Sequence, residues 1–336
     1  MPTNAANIRM MKLYEILCRE TDEDHPITRA ELSQKASEQG IACHDRTISR
    51  DVELLNAAGY EVCSIIKDHK RYYYVPERDF SVPELKILID AVQAANFVTE
   101  KKTKELIDRI AALGGSYRGD LLKRNMAYFN SHKHSNEAIL YSVDRIEDAI
   151  LRKKKISFYY FDIDENKERI YRTDESGKRK HYRTEPVALI LSEDNYYLMA
   201  YSDRHPETTA TYRVDRMDQV DIVEDSELSE EALAHIPGVA NYTEQVFRMH
   251  NGEPTVVVLR FDKGLLGPFY DKFGEDTDVR SVSETECEAT LPVRVSKTFF
   301  GWLTQFGTDI KIVKPESVAE QYLDHLRRIL DNTKNR

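Results

Sequence analysis

Arg46, Thr47, Ser49 and Arg50 stand close together in "HDRTISRDVELLNAAGYEV", the stretch from His44 to Val62. They offer two guanidinium forks and two hydroxyls, the donors that read guanine edges and grip bases or phosphates of duplex DNA. The chain around them is acidic: 48 Lys and Arg stand against 58 Asp and Glu in 336 residues, a formal charge of −10. A polyanion can therefore be met only by a local face, and helical spacing supplies one. With Ile48 at zero on a wheel of about 100 degrees per residue, Val52 and Leu55 fall within about 40 degrees of it. Arg46, Ser49, Arg50 and Glu53 fall on the far side, leading with the helix N-terminus. The alternative is that Arg46 and Arg50 are solvated and nothing more.

Other chemistry finds less support. "SHKHS" offers His132 and His134, but no cysteine or further histidine lies near enough in sequence to complete a zinc set, so no metal is expected. Asp162, Asp164 and Glu165 sit in a turn without an evident metal partner, which argues against a nuclease or nucleotide hydrolase. "GGS" at Gly114–Ser116 follows a helical pattern and reads as its C-cap; no GxSxG, HExxH, P-loop or dinucleotide fingerprint is present. We expect no enzyme and no cofactor. The four cysteines (Cys18, Cys43, Cys63, Cys287) show neither CxxC spacing nor a framework, no basic-then-apolar leader opens the chain, and runs such as Val187–Leu191 are too short to span a bilayer. A cytoplasmic protein with reduced thiols, away from any membrane, is expected. The charge is uneven: Arg152–Arg183 holds eleven Lys and Arg against six acids, either a solvated surface or a site for an anion.

The elements that must position these residues follow from periodicity and caps. Ile8, Met11, Tyr14, Leu17 and Cys18 mark a first amphipathic helix. "ITRAEL" opens a second, with Thr28 as N-cap and Glu31 completing a capping box, and it stops near Gly40. Asp45 is expected to cap the third, which carries the Arg46–Arg50 face and ends at Gly59. "EVCSII", the turn "KDHK" and "RYYYV" then read as a two-stranded wing. Ser81 and Glu84 cap a helical segment that runs on to Leu113, a spacer or dimerisation region. From Ser135 a helix carries Ile139, Val143, Ile146 and Ile150, with Arg152–Lys155 as its last turn, cations where the helix dipole favours them. Five strands follow, "ISFYYF", "ERIYRT", "YRTEPVALIL", "NYYLMAYS" and "TATYRVDRM", which predict a small β-barrel. Beyond Ser226–Pro254 the order βαββαβ, with a final helix from Glu316, predicts a ferredoxin-like domain.

"RTISRDVELLNAAGYEV" resembles the winged helix-turn-helix of DeoR-type bacterial regulators, whose pattern is Arg-Thr-Ile-x-Arg-Asp, apolar positions and a Gly before the wing. "NYYLMAYS" resembles the signature of WYL-domain transcriptional regulators, with Tyr196 where Trp is commoner, and "YRVDRM" resembles that family's aromatic-Arg-x-Asp-Arg strand. The resemblance covers nearly the whole chain. It implies an α+β multidomain protein: a winged helix-turn-helix at 1–78, a helical linker or dimerisation region at 79–134, a WYL barrel of Sm-like or SH3-like type at 135–225, a linker at 226–254 and a ferredoxin-like WCX extension at 255–336. It further implies a homodimer on a double-stranded, inverted-repeat operator, contacted by Thr28, Arg29, Arg46, Thr47, Ser49, Arg50, Lys70 and Arg71.

WYL domains of this family are thought to sense nucleotides or single-stranded nucleic acid. The resemblance carries that role to Tyr159, Arg183, Tyr197, Tyr201, Arg204, His205, Arg213 and Arg216. Aromatic rings stack bases and arginines grip phosphates. The competing expectation is that Tyr159 and Tyr197 belong to the barrel core and that Arg213 and Arg216 pair with Asp215 or Asp218. On a regular strand Arg213 and Arg216 point to opposite faces, so a common site for both needs a bend. An RNA- or single-strand-binding module built on the barrel is the alternative to a duplex-binding regulator.

Overall fold

A computed structural model of the chain describes residues 2–124, 133, 138–192, 194–201, 209–235 and 253–334. These fall into two compact units, residues 1–137 and 138–336. Several antiparallel sheets and many helices make a mixed α+β protein. No helix of the described residues is long and apolar enough to cross a membrane.

The first unit begins with α1 (Pro2–Glu20), followed by β1 (Ile27–Thr28), α2 (Arg29–Glu38), α3 (Asp45–Ala57), β2 (Cys63–Lys67) and β3 (Lys70–Tyr74). Thr28 caps α2 as expected: its hydroxyl accepts from Glu31 N, and the Glu31 carboxylate accepts from Thr28 N at 2.7 Å. On α3, Ile48, Val52 and Leu55 are buried against Leu32, Ala36 and Tyr73. Asp45 is not the cap. His44 occupies that position without a side-chain bond, and Asp45 is the first helical residue, placing its carboxylate at the positive end of the helix dipole. β2 and β3 pair through Lys67 and Lys70, and the two turn residues Asp68 and His69 both have positive φ, as a tight hairpin turn demands. β1 adds a third strand against β3.

α1 departs in part from its predicted face. Leu17 of the predicted stripe is buried with Leu13 and Ile16, and Tyr14 and Cys18 pack against that core, whereas Ile8 and Met11 are 52% and 72% exposed. α4 (Val82–Ala94), α5 (Glu100–Leu113) and α6 (Ser116–Arg124) complete the unit. The Ser81–Glu84 capping box forms as expected. Gly119 lets α6 cross α5 closely, because a Cβ there would lie 2.5 Å from Ala111 O.

The second unit opens with α7 (Ala138–Leu151). The predicted basic last turn does not form: the helix stops at Leu151, Lys153 takes a positive φ, and Lys155 starts β4 (Lys155–Ile163). β5 (Arg169–Tyr171), β6 (His181–Ser192), β7 (Asn195–Tyr201) and β8 (Ala210–Arg213) follow. A short 3-10 turn over Val214–Arg216 then leads into β9 (Met217–Val223). The sheet therefore has six strands where five were predicted. "TATYRVDRM" covers a strand, a turn and the start of another strand, and the turn breaks the alternation. β4 pairs with β6 and with β9 on its two edges over the same stretch and with β5 farther along at Phe161–Ile163, with bulges between Ser157 and Tyr159 and, on β6, between Pro186 and Ala188. Its inner face packs Phe158, Tyr160, Leu198, Val214 and Met217 against Ile146 and Ala149 of α7. α8 (Glu230–His235) follows.

The remaining elements are β10 (Glu253–Asp262), α9 (Leu266–Phe273), β11 (Val279–Ser281), β12 (Glu286–Val295), α10 (Lys297–Thr304), β13 (Ile310–Lys314) and α11 (Glu316–Lys334). The four strands run antiparallel in the order β11-β12-β10-β13. Phe261 stacks on Phe269 at 4.2 Å in a core with Val257, Leu259, Phe299 and Leu303.

Candidate nucleic-acid interface and candidate effector face

α3 is held from behind by Asp51, which is 3% exposed and accepts from Arg9 of α1, Nε at 2.7 Å and Nη2 at 3.0 Å. That hydrogen bond, against the opposing effect of burial, raises the Arg9 pKa above its ordinary value. Asp51 closes the Arg-Thr-Ile-x-Arg-Asp stretch, yet its partner lies 42 residues away, so the sequence pattern alone does not reveal it.

On the outward side the structure divides the predicted contacts. Thr47 Oγ1 donates to His44 O at 2.7 Å, and the Ser49 hydroxyl lies 3.0 Å from the Tyr73 hydroxyl of β3. Thr28 spends its hydroxyl on the Glu31 carboxylate at 2.7 Å. These three groups are engaged by the fold. Arg46 and Arg50 are exposed, and so are Arg29, Lys70 and Arg71. Among the described residues none of these five cations has a carboxylate within ion-pair distance. The outer surface of α3, the start of α2 and the hairpin tip thus carry five uncompensated charges in an acidic chain.

In the second unit the predicted residues separate into three places. Tyr201 is 6% exposed and packs with Val187 and Ala232, so it is a core ring. Tyr197, Arg213 and Arg216 belong to a second group. Tyr197 sits opposite Arg213 in the β7–β8 register. Arg213 donates to Asp215 through Nε at 3.0 Å and Nη2 at 2.9 Å, and to Asn195 Oδ1 at 2.7 Å. Arg216 Nε lies 3.6 Å from the same carboxylate and has no hydrogen-bond partner among the described residues. The 3-10 turn supplies the bend that a regular strand lacks, bringing both arginines to Asp215. The Asp215 bond, opposed by burial, raises the Arg213 pKa.

Tyr159 and Arg183 form the third group, on the face of β4 away from the core. Tyr159 pairs in register with His181 on one side and Asp218 on the other, and Arg183 pairs with Ser157. Side chains alternate along strands, so Tyr159, His181 and Arg183 share this face. The Tyr159 and His181 rings are 4.8 Å apart, and Tyr171 meets Tyr159 edge-on. The Tyr171 hydroxyl donates to Asp218 at 2.5 Å, and Arg179 lies over its ring at 4.0 Å. Burial first, then the Asp218 contact, pushes the Tyr171 phenol up. Several cations of Arg152–Arg183 rest on rings or carboxylates: Arg172 over Tyr160, Lys180 over Tyr182, Arg169 over Phe161, and Lys155 on Glu185. Arg183 is exposed and has no ion-pair partner among the described residues. Arg204 and His205 lie outside the described residues. The pairing of both arginines with Asp215 follows the competing expectation. His181, Tyr171 and Arg179 were not singled out from the sequence, where the His-x-Arg alternation at 181–183 was the available signal.

This strand-and-turn arrangement lies inside a segment with known relatives. The WYL domain family matches residues 141–222, and the WCX domain family matches residues 253–330. The chain carries a WYL domain and a WCX domain. The Tyr159 face and the Asp215 cluster both lie in the WYL domain, and the four-stranded sheet β10–β13 lies in the WCX domain. Among solved structures, proteasome accessory factor B/C (PafBC) of Arthrobacter aurescens is similar over 95% of this chain at 15% identity, with a TM-score of 0.26. The chain spans 46% of the length of that structure. No curated protein matches.

Proposed function

We propose that this protein is a sequence-specific DNA-binding transcriptional regulator, with a DeoR-type winged helix-turn-helix at 1–78 and a helical linker at 79–134. The WYL barrel at 135–225 senses an anionic ligand, and a ferredoxin-like WCX domain at 255–336 follows a linker. The carrying observation is α3: its apolar face is buried and its Asp51 is anchored by Arg9, while Arg46 and Arg50 stay exposed and unpaired. The pairing of WYL and WCX domains supports a regulatory reading over an enzymatic one. A homodimer on an inverted repeat suits the small footprint of one winged helix. In the cytoplasm, such a regulator needs no cofactor.

The effector is a nucleotide or a single-stranded nucleic acid, held on the Tyr159–His181–Arg183 face by stacking and by guanidinium contacts. The same face favours a second reading, in which the barrel is the principal nucleic-acid-binding site and the ligand is RNA or single-stranded DNA.

The test is selection of bound sequences from random duplexes, then titration of the selected site and a scrambled one. Arg46→Ala and Arg50→Ala should each weaken cognate binding by about 1–3 kcal/mol where the arginine forks a base, with folding intact. Tyr159→Ala should leave duplex binding unchanged. Unchanged cognate affinity in both arginine variants refutes the recognition-helix reading, and loss of all nucleic-acid binding in Tyr159→Ala favours the second.

A further inference from the structure

Ile8 and Met11 of α1 stand outside the apolar core of the first unit among the described residues. Ile8 and Met11 point away from the Leu13–Ile16–Leu17 core and line an open groove of about 1040 Å³. Tyr60, Phe80 and Leu113 of α5 line the same groove. All five side chains are exposed. The floor is drier: Tyr14 packs edge-on against Tyr60 at 4.8 Å, and burial, helped by Cys18, pushes its phenol up to about 12. A contiguous apolar patch of this kind on a charged protein marks an interaction site more often than chance exposure.

We infer that this groove is the face through which two copies of the chain pair about a twofold axis. The inference rests on the homodimer reading above and names its interface. The charges of the groove point to a second copy rather than a small ligand. Its α1 side carries Lys12 and Arg19 against Glu15 and is net positive. The turn after α3 and the segment after β3 carry Glu61, Glu77 and Asp79 against Arg78, whose guanidinium is turned back onto Val75 O and Thr21 O, and are net negative.

Lys12 and Arg19 are held by neighbours on their own helix, the exposed Glu15 and the half-buried Glu20, which Lys35 shares. Such pairs are weak. Glu61, Glu77 and Asp79 form no ion pair among the described residues. A twofold rotation that lays α1 of one copy across the acidic wall of the other pairs the cations with the carboxylates twice, as an isologous contact requires. Met11 at the centre is an unbranched side chain able to fill the facing groove.

Analytical ultracentrifugation of the full chain tests this with three variants at exposed helical positions. The parent protein should sediment as a dimer. Met11→Glu places a carboxylate in each half of the interface and should raise the dimer dissociation constant by about 30-fold or more, the range of an interface hot spot. Lys12→Glu should weaken the dimer less, by an amount that shrinks as salt rises. Ile87→Glu, an equally exposed apolar site on α4, should have no effect. A parent dimer that survives Met11→Glu and Lys12→Glu unweakened overturns the groove assignment and leaves the homodimer standing. A dimer broken by Ile87→Glu and not by Met11→Glu moves the interface to α4. A parent that stays monomeric at high concentration overturns both the groove assignment and the homodimer reading.

Discussion

Removing the Asp51 carboxylate should separate what holds α3 in place from what α3 does. Asp51 accepts two hydrogen bonds from Arg9 and is almost wholly buried. Asp51→Ala deletes both and leaves the guanidinium without its counter-charge. Breaking a fully buried ion pair costs about 3–5 kcal/mol. Arg9 keeps 22% of its side-chain surface in water, and partial rehydration brings the loss toward about 2–3 kcal/mol. In a unit of this size each kcal/mol moves the melting temperature by roughly 3–5 °C, so the first unit should melt about 6–15 °C lower.

Arg50→Ala, one residue away on the exposed face, should stay within about 0.5 kcal/mol of the parent in stability while losing DNA affinity. Calorimetry suits the comparison, because the single tryptophan, Trp302, lies in the second unit and is silent about the first. The double variant Arg9→Met with Asp51→Leu supplies the control. Replacing both partners with apolar groups should recover much of the loss, since a stranded charge costs more than a missing pair. A melting temperature for Asp51→Ala within about 2 °C of the parent contradicts the predicted shift and refutes the anchoring argument. Equal destabilisation by Arg50→Ala refutes the division between the two faces of the helix.

Two further outcomes concern the WYL domain. Burial alone would raise the Glu185 pKa, but the hydrogen bonds from Lys155 and from Ser229 N and Oγ outweigh it and hold the carboxyl below its usual value. A carboxyl depressed in the folded state contributes stability above its unfolded pKa, about 4.3, and that contribution disappears as pH falls through the lower folded value. Urea titrations from neutral pH into this acid range should therefore show the gap between parent and Glu185→Gln closing, and a gap that stays constant contradicts the pairing. Tyr201→Ala should cost about 3 kcal/mol or more because it empties a core position, whereas Tyr159→Ala should cost far less and weaken binding of a short single strand. A Tyr201→Ala protein as stable as the parent in urea refutes the core placement.

What was legible in the sequence was local. The two capping boxes, Thr28 with Glu31 and Ser81 with Glu84, form as read because each partner lies three residues from the other. The core face of α3 was legible because a single apolar stripe has one solution. α1 was legible in part: Leu17, Tyr14 and Cys18 of the predicted stripe meet the core, while the buried Leu13 and Ile16 were missed and Ile8 and Met11 face outward, because the packing of the unit selects which arc of an apolar-rich helix is buried. The WYL segment was recognisable from two short motifs and the WCX segment only from the domain order that the resemblance implies, and the positions of Arg213 and Arg216 depended on one turn of 3-10 helix that no alternation pattern announces.

The candidate interface shows the same division, with a functional consequence. The sequence offered eight groups as DNA contacts, and local pairings engage the hydroxyls of Thr28 and Thr47 while a pairing across the fold engages that of Ser49. Ser49 is tied to Tyr73 of β3, so the register of the hairpin relative to α3 depends on a residue that sequence spacing assigns to DNA. The five cations have no ion-pair partner among the described residues and, on the proposed reading, are the groups left to meet phosphate and base. Specificity and affinity in this unit should therefore rest on arginine and lysine, with Ser49 setting where the wing carries Lys70 and Arg71.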